Sequence, residues 1–453
     1  MRLKPIALQE LEQATNGTLY HPKPLLINGI VIDNRLVTPG CLFVAIQGER
    51  FDGHDFIPSA IEQGAVAVVS QKKLEISTPY LLVEDTRKAL LDLGRYCRQQ
   101  FHGKLVGVTG SVGKTTTKEM IATVLSSQYH TLKTEGNLNN EIGLPKTLFG
   151  LDDRYQAAVI EMGMSNLGEI HRLSTTALPD IGVITNIGVS HMENLGSRAN
   201  ILKAKLEILD GMEEGAPLIV NGDNDMLCNL QVENHPIIFC GISGEHLNCR
   251  ATNIKTDGLS TTFEIVYQDT NTTVSIPTIG EHNVLNALFG FVIGRLCGIT
   301  SQQIVEALKK YQPAGMRQNT RLVNGMIVIE DCYNASPDSM KAAFSALQQI
   351  PAEGRKIAVL GDMLELGKIS SQAHYDTGVL AKQCHLDALF CYGSESKQIA
   401  AGAKGIPFLC HYDDKQKMAS DLKAFLRPGD AVIFKASRGM KLEEVIQELF
   451  QKD

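Results

Sequence analysis

The segment Val106-Gly-Val-Thr-Gly-Ser-Val-Gly-Lys-Thr-Thr-Thr117 constrains the fold more than any other part of this 453-residue chain. An apolar run leads into a glycine-rich turn, then into Lys114, Thr115 and a helix-compatible stretch. That order of strand, turn and helix builds a phosphate cradle. Backbone N–H groups of the turn and the open helix N-terminus face one anion, Lys114 reaches the outer phosphates, and the Thr115 hydroxyl holds a magnesium ion. Val108 stands where the first glycine of the usual spacing is expected, and glycines fall instead at Gly107, Gly110 and Gly113. The competing reading is an ordinary strand–turn–helix with a chance Gly-Lys-Thr. Agreement of all three contexts favours a site for ATP or GTP.

The length exceeds what one core supports, so two or three domains are expected. Hydrophobic content of 43% and charged content of 21% are those of a folded soluble protein. A net charge of -7 without any block of Lys and Arg argues against nucleic-acid binding. The ten cysteines form no CxxC pair, which fits buried thiols in a reducing compartment. No stretch reaches the roughly 20 apolar residues of a membrane span, and a cytoplasmic protein without membrane insertion is expected.

Residues up to about 98 carry short strands such as Gly29–Asp33 and Gly40–Ile46, then a helix-like run from Phe56 to Gly64 leading into Ala65–Val69. Lys88–Gln100 reads as a helix joining this region to the next. Strands are then expected at Leu105–Thr109, Ala157–Met162, Ile181–Thr185, Pro217–Asn221 and Pro236–Cys240, with helices between them, which implies a parallel sheet. Residues 248–278 break the rhythm and predict a β-ribbon or small antiparallel sheet, followed by helices over Asn283–Cys297 and Ser301–Tyr311. After a boundary at Pro313-Ala-Gly315, a second αβ series places strands at Met326–Asp331, Lys356–Leu360, Ala388–Cys391 and Ala431–Lys435, a doubly wound unit. The fold class is α/β with three domains.

Glu161 ends an apolar strand one step beyond the phosphate loop, where a carboxylate is suited to hold magnesium; the bland reading is a solvated strand end. His191 follows the next strand, and Lys205 lies on a helix pattern. Spacing alone leaves both open between a functional role and an ordinary structural histidine or wet-face lysine.

Beside these readings stands a resemblance. Gly107–Thr115, Glu161-Met-Gly163, the Asn186–His191 segment and Ala204-Lys-Leu-Glu207 resemble segments of the Mur ligases, amide-forming enzymes of bacterial cell-wall precursor synthesis. Gly280-Glu-His-Asn-Val-Leu-Asn286 is similar to the family's nucleotide-contacting helix start, and Asp331-Cys-Tyr-Asn-Ala-Ser-Pro337 to its C-terminal signature. These segments follow the family's order over nearly the whole chain. The resemblance implies a UDP-sugar substrate domain over 1–98, a central ATP-binding P-loop domain over 99–312 and a Rossmann-like domain over 313–453. It implies that ATP phosphorylates a peptide carboxylate to an acyl phosphate, which an amine then attacks.

Three segments resemble the branch of the family that joins D-alanyl-D-alanine to UDP-N-acetylmuramoyl-tripeptide. They are Asp33-Asn-Arg35 with Pro39–Ala45 and Asp52-Gly-His54, then Gly136-Asn-Leu-Asn-Asn-Glu-Ile-Gly-Leu-Pro145, then Gly361-Asp-Met-Leu-Glu-Leu-Gly367. By position, the resemblance implies a phosphate loop of Gly107, Thr109, Gly110, Ser111, Val112, Gly113, Lys114, Thr115 and Thr116. Thr115 and Glu161 would hold one magnesium ion. His191 would serve a second, with Lys205 carrying carbon dioxide as a carbamate. His282, Asn283 and Asn286 would frame adenine, with Asp331 and Asn334 meeting the nucleotide from the C-terminal domain. Asp33 and Arg35 would belong to the uridine pocket, and Asn137, Asn139 and Asn140 to the sugar-peptide path. Asn34 stands where many relatives have Ser or Thr. Gly315-Met-Arg317 assigns the phosphate-side arginine to Arg317, with Arg321 close by. Lys435, Ser437 and Arg438 either face the site or are solvated charges after a strand. A monomer is expected. A Mur ligase adding a single amino acid, a folylpolyglutamate synthase and a nucleotide-dependent switch are the competing functions.

Overall fold

The computed structural model describes residues 4–268 and 270–450. Sheets of five, nine and six strands succeed one another along the chain, and Ile6–Ala7 pairs with Leu26–Ile27 in a small ribbon. In the five-stranded sheet the order is Thr18–Tyr20, Tyr80–Leu82, Ala65–Ser70, Cys41–Val44 and Gly29–Val31, parallel except for the first pair.

The nine-stranded sheet positions the site. From one edge it runs Thr270–Ile276, Ser260–Tyr267, Cys249–Asp257, Ile237–Gly241, Leu218–Asn221, Ile181–Ile184, Lys104–Thr109, Ala157–Glu161 and Thr131–Lys133. Both faces are covered, which explains the unbroken apolar strands. Val106, Val108, Val159 and Val183 pack beneath the helices Lys114–Leu125 and Glu281–Leu296. Leu105, Ala158, Ile160 and Ile184 point the other way, into a core with Leu173, Ile201 and Ala204. Ala157–Glu161 and Ile181–Ile184 flank Lys104–Thr109 on opposite sides, so a crevice opens at the carboxyl ends of these strands.

The segment expected as a separate ribbon instead extends this sheet. Cys249–Asp257 pairs in parallel with Ile237–Gly241, and only the next two strands are antiparallel. Its inward residues Ala251, Phe263, Ile265, Val274 and Ile276 share the core of the helix Glu281–Leu296, and burying that alternating face fuses the hairpins to the sheet.

The six-stranded sheet runs Asn319–Val323, Met326–Asp331, Ala431–Lys435, Lys356–Gly361, Ala388–Tyr392 and Phe408–Tyr412, parallel apart from the first hairpin. The four expected strands are joined by two at the edges. Asn319–Val323 is polar and only half-buried, as an edge strand can be.

The helix Thr86–Gln99 begins two residues before the expected start because the Asp85 carboxylate accepts from the N–H groups of Arg87 and Lys88, at 2.7 and 3.3 Å. Near its end, Arg98 rivets the helix to the central sheet. Its guanidinium donates to the carbonyls of Ala177 and Phe101 at 2.9 Å, to that of Leu178 at 3.0 Å and to the Asp180 carboxylate at 3.0 Å. The same Asp180 oxygen accepts from Leu105 N–H at 2.7 Å. Replacing Arg98 by Ala leaves several part-buried acceptors unmet, and an unfolding free energy lower by about 2–4 kcal/mol is expected in urea denaturation.

Candidate active site

The strand Lys104–Thr109 delivers the chain into a turn that only glycine can complete. Gly110 has φ +146°, and a side chain there would collide with Thr185 Oγ1. The turn is tied to the loop after Ile181–Ile184 by four bonds, one of them from Thr185 Oγ1 to the Val112 carbonyl at 2.6 Å. Ser111 N–H donates to the Asn186 carbonyl at 3.1 Å, Val112 N–H to Asn186 Oδ1 at 2.8 Å, and Gly188 N–H to Ser111 Oγ at 3.0 Å. The helix Lys114–Leu125 starts at the left-handed Gly113 without a side-chain cap, so its first N–H groups stay available to an anion. Lys114 Nζ folds back on the carbonyl of Gly110 at 2.7 Å. Burial holds Lys114 below the ordinary lysine range, with Glu161 opposing and Arg317 reinforcing that shift.

Glu161 is wholly buried and held at both oxygens. Thr115 Oγ1 donates to Oε2 at 2.9 Å and Asn139 Nδ2 to Oε1 at 2.8 Å, while Glu161 N–H donates to Thr134 Oγ1. Two hard oxygens from Thr115 and Glu161 at the mouth of a phosphate loop suit magnesium, which takes few protein ligands and completes its shell with phosphate and water. Among the described residues no three His, Cys, Asp or Glu side chains converge as a metal cage.

Behind this carboxylate lies a chain of charges. Lys118 Nζ, buried, donates to the Thr134 carbonyl at 2.6 Å, pairs with Glu119 at 3.0 Å and approaches Glu161 Oε2 at 4.0 Å. Glu119 in turn meets the half-exposed Lys133 at 2.6 Å. Lys118 was not singled out from the sequence. The signal was its position one helical turn beyond Lys114, on the face that carries Thr115 and the core.

His191 takes a left-handed conformation, φ 61°, at the start of the short helix Met192–Leu195. Burial, reinforced by Lys114 and Lys205, brings it down to about 4, so the imidazole is neutral near pH 7 and can offer a lone pair. Lys205, on the helix Arg198–Leu206, is 1% exposed. Burial above all, then Lys114, pushes it well below the lysine range, against Glu169 and Glu207. Lys118 and Lys435 are equally buried but each meets a carboxylate, whereas none lies within ion-pair distance of Lys205 among the described residues.

These groups line, or lie beneath, a cavity of about 710 Å³ whose other wall comes from the six-stranded sheet and its loops. Ser111–Thr116, Glu161, His191, Asn137, Asn139 and Asn140 form the first wall; Arg317, Asp331, Asn334, Asp338, Glu365 and Lys435 form the second. Asn140 also accepts from Ile142 and Gly143 N–H groups, capping a short helix. Lys435 pairs with Asp331 at 2.6 Å and donates to the Asn334 carbonyl at 3.1 Å. Arg438 turns away to Glu443, and Ser437 accepts from Leu364 N–H. The Arg317 guanidinium lies 3.8 Å over the Tyr333 ring, while Arg321 is spent on Glu330 at 2.8 Å. His282 and Asn283 both reach Gln318 Oε1, at 2.6 and 2.8 Å, and Asn286 accepts from Thr117 at 2.8 Å.

Other expected residues lie elsewhere. Gly107 sits within its strand against Pro179 and Met162, and Thr109 donates to the Met162 carbonyl, so both back the cradle rather than line it. Asp33 and Arg35 are paired with each other at 2.7 Å on the five-stranded unit and do not line this cavity.

Three family descriptions match successive parts of the chain: Mur ligase family, catalytic domain, over residues 26–96; Mur ligase middle domain over 108–294; and Mur ligase, glutamate ligase domain, over 316–438. The chain is 38% identical over 456 residues to the UDP-N-acetylmuramoyl-tripeptide–D-alanyl-D-alanine ligase of Bacillus subtilis, covering 98% of each. The chain belongs to the Mur ligase family. A crystal structure of MurF from Acinetobacter baumannii matches this Mur ligase with a TM-score of 0.93 at 32% identity, over 100% of both chains. MurF ligase from Thermotoga maritima in complex with ADP matches with a TM-score of 0.85 at 32% identity, over 93% of this chain and 96% of that one.

The charge chain behind Glu161 in this Mur ligase yields a comparison of its two ends. Lys118→Met strands buried carboxylates and is expected to lower stability by about 3–5 kcal/mol. Lys133→Met, at the half-exposed end, should cost less than about 1 kcal/mol. Urea denaturation of both variants checks the order.

Proposed function

We infer that this Mur ligase joins D-alanyl-D-alanine to UDP-N-acetylmuramoyl-tripeptide at the expense of ATP, releasing ADP and phosphate and forming the UDP-linked pentapeptide precursor of peptidoglycan. The observation that carries this reading is a single cavity with a phosphate cradle on one wall and Arg317, Lys435 and the Glu365 carboxylate on the other. Full-length similarity to ligases of that name supports the same choice over a single-amino-acid ligase, a folylpolyglutamate synthase or a switch protein.

The peptide carboxylate attacks the γ-phosphorus and ADP leaves; the amine then attacks the carbonyl carbon and phosphate leaves. Lys114, on swinging from the Gly110 carbonyl, neutralises the transferring phosphoryl group, and Arg317 reaches it from the opposite wall. Thr115 and Glu161 would hold one magnesium ion and His191 would serve a second. Bound magnesium screens the phosphates so that an anionic carboxylate can approach. An acyl phosphate is lost to water unless the cavity excludes it, and closure of the residues 313–453 over the residues 99–312 would do so. Residues 1–98 would take the uridine nucleotide, with Asp33 and Arg35 in its pocket, and His282, Asn283 and Asn286 would frame adenine. ATP and UDP-linked substrates place the reaction in the cytoplasm.

Lys205 fits a carbamate. Burial favours its neutral amine, which can add carbon dioxide with loss of a proton, and the product is an anionic oxygen suited to a hard cation. Lys205→Ala is expected to abolish turnover, with partial rescue by added formate or acetate. Activity equal to that of the unmodified enzyme would rule the carbamate out.

Phosphate release should require ATP, magnesium, UDP-MurNAc-tripeptide and D-alanyl-D-alanine together, with the pentapeptide product seen by mass. Release indifferent to the tripeptide and dipeptide would overturn the assignment.

A further inference from the structure

Five carboxylates line the cavity, and four are already engaged. Glu161 is bonded to Thr115 and Asn139; Glu169 accepts from Ser165 N–H and Asn166; Asp331 pairs with Lys435; Asp338 accepts from Val189 N–H at 3.2 Å. Glu365 is the exception. Its side chain is 69% exposed, its nearest partner is His191 Nδ1 at 3.5 Å, and no Lys or Arg pairs with it among the described residues.

The backbone that carries Glu365 is nonetheless fixed in place. It belongs to the segment Gly361–Gly367, which leaves the carboxyl end of the strand Lys356–Gly361. Asp362 accepts from Ser396 N–H at 2.8 Å. Met363 N–H donates to Nε2 of the fully buried His374 at 2.9 Å, and Leu364 N–H donates to Ser437 Oγ at 2.9 Å. Three successive residues are therefore pinned before the chain reaches Glu365, which adopts φ 64°. A left-handed glutamate is a strained choice that glycine or asparagine would relieve. A pinned, strained residue that presents an unpaired carboxylate to the site suits recognition of a cation.

Of the groups that react, only the amine of the incoming dipeptide is a cation in its resting form, whereas the γ-phosphate and the tripeptide's terminal carboxylate are anions. Lys114, Arg317 and Lys435 are matched to phosphates and carboxylates. We propose that Glu365 is the subsite for the primary ammonium group of D-alanyl-D-alanine, holding it on the C-terminal wall opposite the phosphate loop. The proposal rests on the ligase reading above and adds the residue that selects the amine substrate.

Steady-state kinetics of the full chain and of Glu365→Gln test it, with propionyl-D-alanine, the dipeptide lacking its amino group, as inhibitor. Loss of one charge-assisted contact should raise KM for D-alanyl-D-alanine by about ten- to hundredfold. KM for ATP, magnesium and the tripeptide should move by less than about twofold, and inhibition by propionyl-D-alanine should be unchanged. Glu365→Asp, which keeps the charge, should retain part of the lost affinity. An unchanged dipeptide KM would overturn the proposal. So would equal weakening of dipeptide and propionyl-D-alanine, which marks a shape defect, or a rise in magnesium requirement alone, which marks a metal ligand. An unmodified enzyme that ignores the dipeptide overturns the ligase reading, and the subsite with it.

Discussion

The lock between the phosphate loop and the loop that follows Ile181–Ile184 organises everything around it. Gly110 must approach Thr185 without a side chain, and the Asn186 carbonyl and side chain take the N–H groups of Ser111 and Val112. Gly188 then bonds back to Ser111, and Val189 bonds forward to Asp338 at the start of the helix Pro337–Gln349. One hydrogen-bonded path thus joins the cradle, the His191 loop and the C-terminal wall. A nucleotide that orders the cradle would be felt directly by the residues that close over it.

Charge is the second theme. The site must gather ATP, a carboxylate and magnesium without letting its own lysines collapse onto its own glutamates. The structure meets this by committing most of them in advance. Lys118 backs Glu161 and pairs with Glu119, Lys435 holds Asp331, and Lys114 waits on a carbonyl. Among the described residues Lys205 is the buried lysine left without a carboxylate, and burial shifts it toward its neutral, reactive form. Ion pairs in low dielectric are costly to break, so this pre-pairing also fixes geometry.

Much of the fold could be read from patterns that are local in sequence. The phosphate loop announced its strand and helix, and strands buried on both faces stood out as apolar runs. What escaped depended on partners distant in sequence. Cys249–Asp257 alternates like a hairpin strand, and nothing in it reveals that its outer edge joins Ile237–Gly241. Asn319–Val323 is too polar to stand out because it is an edge. In the site, spacing could not distinguish a wet lysine from a buried one, so Lys205 rested on resemblance and Lys118 passed unnoticed. Arg317 lies just before the strand Asn319–Val323 and Arg321 lies within it, and only their partners, Tyr333 and Glu330, distinguish the two. Glu365 belongs to the segment Gly361–Gly367, whose conformation depends on His374, Ser396 and Ser437, all from other elements.

The central claim is that the cavity activates a carboxylate by phosphoryl transfer before the amine arrives. The most direct measurement follows oxygen. With the terminal carboxylate of the tripeptide labelled with oxygen-18, the account predicts that one labelled oxygen leaves in the inorganic phosphate for each amide formed. Unlabelled phosphate accompanying amide formation would contradict it.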